Sequence, residues 1–167
     1  MPKYFWLCLL VLAGIFDTAF AQEAPRIAFP QHAAVVLAVE ADGVQIYEAK
    51  PNTAGGFKWA LKAPEAELKN LSGATVGKHF GGPSWMANDG SQVVGASPPL
   101  NISPAGTNVP WLVIAVKSKS GSGLLAQVDY VARISTEGGT APAEAPKAET
   151  DTVRVKYRAI YLFFQKT

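Results

Sequence analysis

Cysteine is almost absent from this chain. Its one thiol, Cys8, lies in the first ten residues, so the chain beyond that region is expected to fold without a disulfide and without thiolate metal ligands. Histidine is also scarce, with only His32 and His79. Two imidazoles fall short of the three or four ligands that zinc takes, and no metal site is expected. The formal net charge is only +2, which is too small for the electrostatic footprint of a nucleic-acid-binding domain. Beyond the N-terminal region no apolar run approaches the about 20 residues that a membrane helix needs. An amphipathic helical period and an internal repeat are missing too.

Residues Met1 to Ala21 read as a secretory signal peptide. Lys3 supplies the positive start, Phe5 to Phe16 the apolar core, and Ala19-Phe20-Ala21 a small-residue cleavage site before Gln22. The protein is therefore expected to be exported, to the periplasm or the medium, with no membrane span after cleavage. Cys8 stands at the start of the apolar core rather than its end, which does not fit a lipoprotein. Residues 22–33, with Pro25 and Pro30, read as an extended arm. Residues 34–167 read as a single β-rich domain.

In that domain, short alternating runs are separated by turns. Ala34 to Val39 is apolar, and Ala41-Asp42-Gly43 carries the Asp-Gly hairpin signal before a second alternating run at Val44 to Ala49. Phe57, Trp59 and Leu61 alternate with Lys58, Ala60 and Lys62. Pro64 to Leu68 fits a helical turn or an irregular strand equally well. Gln92 to Gly95, Trp111 to Val116 and Leu125 to Ile134 are further strands, and Pro98 to Asn108 is a loop. Gly138 to Thr150, rich in Pro, Ala, Glu and Gly, is a surface loop expected to be mobile. From Val153 to Phe163, apolar and aromatic residues alternate with Arg154, Lys156 and Arg158, the clearest strand pattern in the chain. The fold class expected is all-β: a single-domain antiparallel β-sandwich or barrel with long loops.

Chemistry concentrates in His79-Phe80-Gly81-Gly82-Pro83-Ser84-Trp85 and the following Asp89-Gly90-Ser91. The glycines and proline there suggest a shaped loop, where binding and catalytic groups are often found. His79, Pro83, Trp85 and Asp89 are the ligand-binding candidates. His79 titrates near neutral pH, and an indole offers a large flat face with a polar handle. Trp59 and Trp111, on strand-like runs, are expected in the core. The alternative is a hydrolase using His79 with Asp89 and either Ser84 or Ser91, which are the residue types of a nucleophilic triad, although no nucleophile-elbow motif surrounds either serine. Gly121, Gly123 and Ala126 match the spacing of a dinucleotide fingerprint, but a β-alternating run follows where a helix is required, so no cofactor is expected. Arg154, Lys156 and Arg158 share one strand face, either a solvated row or a surface for an anionic partner.

An ordered set of pieces resembles a known family. It comprises Gly43-Val44-Gln45-Ile46-Tyr47-Glu48, Phe57-Lys58-Trp59, Ala63-Pro64-Glu65-Ala66-Glu67-Leu68 and Val76 to Trp85. Asp89-Gly90-Ser91, Val93-Val94-Gly95, Val109-Pro110-Trp111-Leu112, Gly138 to Pro142 and Tyr157 to Phe163 follow. In order and spacing these are similar to the secreted "domain of unknown function 3455" family, from about Ile27 to Phe164. The resemblance implies an exported, β-rich single domain and no established activity. It also implies cysteines after the Val-Gln-Ile-Tyr-Glu piece and near position 146, where this chain has Ala49 and Pro146. The reading of function is an exported β-domain that binds a small molecule, a glycan or an envelope partner through the His79–Ser91 segment, with the hydrolase as the alternative.

Overall fold

The computed structural model describes residues 27–104 and 106–167. The expected signal peptide and the first residues of the expected arm lie outside that range. Nine strands make up the regular structure: β1 (Ala33–Pro51), β2 (Phe57–Lys69), β3 (Thr75–Phe80), β4 (Ser84–Ala87), β5 (Gln92–Gly95), β6 (Asn101–Ile102), β7 (Leu112–Ser120), β8 (Tyr130–Gly138) and β9 (Thr152–Lys166). There is no helix among the described residues.

All strands belong to one antiparallel sheet in the order β5-β4-β3-β2-β1-β9-β8-β7-β6, and β5 also pairs with β7. That extra pairing closes the sheet on itself. The closure is irregular, because β7 offers the same edge to β6 at Leu112 and Val113 and to β5 from Val116 to Ser120. The fold is therefore a single all-β domain in which one sheet wraps around its own core.

The period of two decides what lies inside. On β1 the inward residues include Val39, Ala41 and Gln45. On β9 they are Tyr157, Ala159, Tyr161 and Phe163, while Arg154, Lys156 and Arg158 point outward. Register places Ala41 against Ala159 and Val39 against Tyr161, and Val131 against Phe163. One core cluster gathers these with Leu68, Trp85, Val93, Ile114 and Leu125. A smaller cluster of Val113, Ala132 and Phe164 sits on the other face of β7–β9, where Ile27 and Ala33 cover it.

Two local expectations change, and one open alternative resolves to strand. Asp42-Gly43 is not a hairpin turn, because β1 runs unbroken through it. Gly43 is needed there for closeness: a Cβ would overlap the carbonyl of Glu65 on β2. Pro64 to Leu68 is strand, paired with β1. The run from Leu125 becomes strand only at Tyr130, since Gly121 to Asp129 forms turns held by Asp89, whose carboxylate accepts from the amide of Leu124.

The Gly138–Thr150 segment is irregular but well tied. Tyr47 donates to the Gly139 carbonyl, Trp59 Nε1 to the Glu144 carbonyl and Thr140 to the Thr107 carbonyl, and the amides of Lys147 and Ala148 donate to Asp151. Pro146 is buried. These bonds fix the segment that was expected to be mobile.

Candidate functional site

The glycines Gly81 and Gly82 with Pro83 make a turn between β3 and β4. His79 and Trp85 therefore fall on paired strands, directly opposite each other in register, rather than on a loop. Both point into the sheet interior and both are buried. The His79 ring stacks on the Trp85 indole at 4.6 Å between centroids and 8° between planes. Tyr161 meets His79 edge-on at 5.0 Å and Trp85 at 5.6 Å.

The His79 ring is fixed and neutral. Its Nδ1 lies 2.8 Å from the Ser84 carbonyl; a carbonyl only accepts, so Nδ1 carries the proton and Nε2 keeps a lone pair. Burial lowers the pKa from its ordinary 6.5 to about 3; the Ser84 bond opposes that shift and the charge of Arg133 adds to it.

The polar side chains of the other candidates are engaged elsewhere. Asp89 accepts from the amide and hydroxyl of Ser91 and from the amide of Leu124, and these bonds hold its carboxyl below the usual range. Ser91 Oγ in turn accepts from the Leu125 amide. The Ser84 hydroxyl donates to the Gly82 carbonyl at 3.3 Å. The Pro83 carbonyl accepts from the Gly95 amide. Among the described residues no hydrogen bond joins His79 to Asp89 or to either serine hydroxyl. Asp89 and Ser91 tie the β4–β5 turn to the Gly121–Leu125 turn. Gly123 backs onto the Asp89 carboxylate, and the segment after it starts no helix. Trp59 and Trp111 are only half-buried; the tryptophan of the core is Trp85.

The apolar core around His79 and Trp85 also holds polar groups. Four buried side-chain atoms have no hydrogen-bond partner among the described residues: Gln45 Nε2, Trp85 Nε1 and the hydroxyls of Tyr157 and Tyr161. These residues are only 1–2% exposed. Each such atom costs about 1–3 kcal/mol when left unpaired, so four in one small core need a reason. They are neighbours. The space beside Gly139 is bounded by Tyr157 Cβ and Gln45 Cγ, and the Tyr161 hydroxyl lies near that of Tyr157 and near the Arg133 guanidinium, although none of these approaches has the geometry of a full hydrogen bond. Burial raises both phenols above their ordinary value.

Arg133 completes the cluster. It stands opposite Tyr161 in register, and its charge acts on His79, Tyr47, Tyr157 and Tyr161. Its Nε and Nη2 donate to the Pro110 carbonyl at 3.1 and 2.9 Å. It forms no ion pair among the described residues. The outward basic row behaves differently: Arg154 pairs with Glu65 and Arg158 with Asp42. A surface cleft of about 600 Å³ outside β1, β8 and β9 is walled by Asp42, Gly43, Glu137, Lys156, Tyr157 and Arg158.

Sequence reasoning marked His79 and Trp85 but missed Gln45, Arg133, Tyr157 and Tyr161 as site residues. The available signal was a polar or charged residue in the inward phase of a strand. No group of three or more His, Cys, Asp or Glu side chains comes together among the described residues, which also contain no helix long and apolar enough to cross a membrane.

Fold and site together define a class: a single-domain, all-antiparallel, irregularly closed sheet whose apolar core carries a few buried polar and aromatic groups. Within it, the chain belongs to the family described as protein of unknown function (DUF3455), whose model matches residues 30–165. No curated protein and no solved structure matches it.

Proposed function

We propose that this protein is an exported binding domain that holds a small polar molecule inside its closed sheet, between the His79–Trp85 stack and the Tyr157, Tyr161 and Arg133 groups. The observation that carries this reading is the convergence of four buried, unpartnered polar atoms on one interior. A protein selected only for stability would replace them with apolar groups. A site selected for a ligand keeps them, because they are satisfied when it binds. The His79–Ser91 segment contributes through its two inward residues, while Asp89 and Ser91 hold the turn that closes the sheet. The hydrolase alternative has no supporting geometry, since His79 is held neutral against a carbonyl and touches neither Asp89 nor a serine hydroxyl. Lys3, the apolar run after it and Ala19-Phe20-Ala21 support action outside the cytoplasm, and N-terminal sequencing of exported protein is expected to begin at Gln22.

The test is thermal unfolding of the wild type and of Tyr161→Phe with a panel of small organic acids, amides and sugars. A ligand bound only by the folded state raises the midpoint by mass action. At least one class is expected to raise the wild-type midpoint by several degrees and the variant's by much less. A panel that moves neither protein, or moves both equally, contradicts an interior site at Tyr161.

A further inference from the structure

The interior cluster is unbalanced in a way that selects a ligand. All four of its unpartnered groups can donate toward an anion: Gln45 Nε2 and Trp85 Nε1 only donate, and the two tyrosine hydroxyls donate readily. Arg133 has five N–H groups, of which two go to the Pro110 carbonyl. Its guanidinium is half-buried without a carboxylate within ion-pair distance among the described residues. A charge removed from water is costly unless it is paired. The outward arginines Arg154 and Arg158 do have acidic partners, whereas the inward Arg133 has a carbonyl and no carboxylate among the described residues.

Resting on the interior site proposed above, we infer that the ligand is a small monocarboxylate with an aromatic or apolar body, its carboxylate taken by Arg133 and the Tyr161 and Tyr157 hydroxyls. Two features set the class. A single cation, Arg133, acts on His79, Tyr157 and Tyr161, which balances one negative charge and not a phosphate dianion. The guanidinium fork matches a planar two-oxygen group. Beside it stand the stacked His79 and Trp85 rings and the Tyr161 edge, which suit a flat or apolar body. Neutral His79, with a lone pair at Nε2, adds no second charge and can accept from a ligand hydroxyl.

The experiment is NMR titration of the folded protein with matched pairs, benzoate and benzamide, phenylacetate and phenylacetamide, and with inorganic phosphate, each to about 10 mM, where weak millimolar binding registers. The resonances followed are the Arg133 Nε–H and the Trp85 Nε1–H. The acids are expected to shift both and to bind at least about tenfold tighter than their amides. Arg133→Gln is expected to erase that preference, and Arg133→Lys to restore part of it. Amides that bind as well as acids overturn the carboxylate inference and leave the interior site standing. Phosphate binding tighter than the acids overturns the single-charge assignment. If no compound moves either resonance, the carboxylate inference fails, and the interior site stands or falls on the wider thermal panel. The wild-type Arg133 signal decides among these outcomes even if a variant does not fold.

Discussion

His79 shows how burial decides what a side chain can do. In the sequence it is a titratable ring among glycines, a natural candidate for acid–base work. In the fold it is a neutral plate stacked on Trp85 with its proton committed to the Ser84 carbonyl. Its folded pKa of about 3 lies below its ordinary 6.5, so between these values the unfolded chain binds the proton and the folded chain does not. The contribution to stability is complete above pH 6.5 and is lost as pH falls toward 3, by on the order of 4 kcal/mol for such a shift. Urea unfolding at a series of pH values is expected to show that slope in the wild type. His79→Phe, which keeps an aromatic stack without a titrating group, is expected to lack it; equal slopes would show that His79 is already protonated when folded. The identity of His79 and Trp85 as unusual residues was legible, because both stand in a segment rich in polar and special residues. Arg133, Gln45 and the tyrosines were not, because their significance depends on which way each strand faces, and hydrophobicity alone favours burying Val44 and Ile46 over Gln45.

At the level of the element, β1 is the instructive case. Two alternating runs separated by Asp42-Gly43 look like a hairpin, since Asp-Gly suits a tight turn. The chain instead continues straight for 19 residues and uses Gly43 to let β2 approach at Ala66. A local turn signal cannot report a steric need set by a strand twenty residues away. Gly43→Ala is expected to destabilise the fold by about 2–4 kcal/mol, as strain in a packed core does, measured by chemical denaturation. A loss below about 0.5 kcal/mol, the range of ordinary surface changes, would mean that β1 and β2 are not so close. The strand pattern of β9 was legible in full, because its outer face is charged and its inner face is aromatic. The turn at Gly121 was legible as well, but not its dependence on Asp89, which is a contact across 35 residues of chain.

For the whole molecule, the sequence announced an all-β domain through short alternating runs and turn residues, and left sandwich and barrel undivided. Closure depends on β5 meeting β7, a pairing between four-residue and nine-residue strands for which no local pattern exists. β9 joins β1 on one side and β8 on the other, so removing residues 152–167 opens the sheet and exposes the core. That truncation is expected to abolish the cooperative unfolding transition seen by circular dichroism; a truncated chain that still melts cooperatively would contradict the closed-sheet account. Because the sheet closes, side chains that look like scattered strand residues in sequence become neighbours around one interior, and the orphaned polar groups exist only at this scale.

On the binding function proposed above, those groups are kept for a ligand rather than for the fold. The direct measurement is the unfolding free energy of Tyr157→Phe/Tyr161→Phe in urea, without added ligand, beside the wild type. Removing two buried hydroxyls that have no partner is expected to leave stability unchanged or raise it by up to about 2 kcal/mol. A loss of 2 kcal/mol or more, as for buried hydroxyls that make hydrogen bonds, would show that they support the structure and would contradict the account.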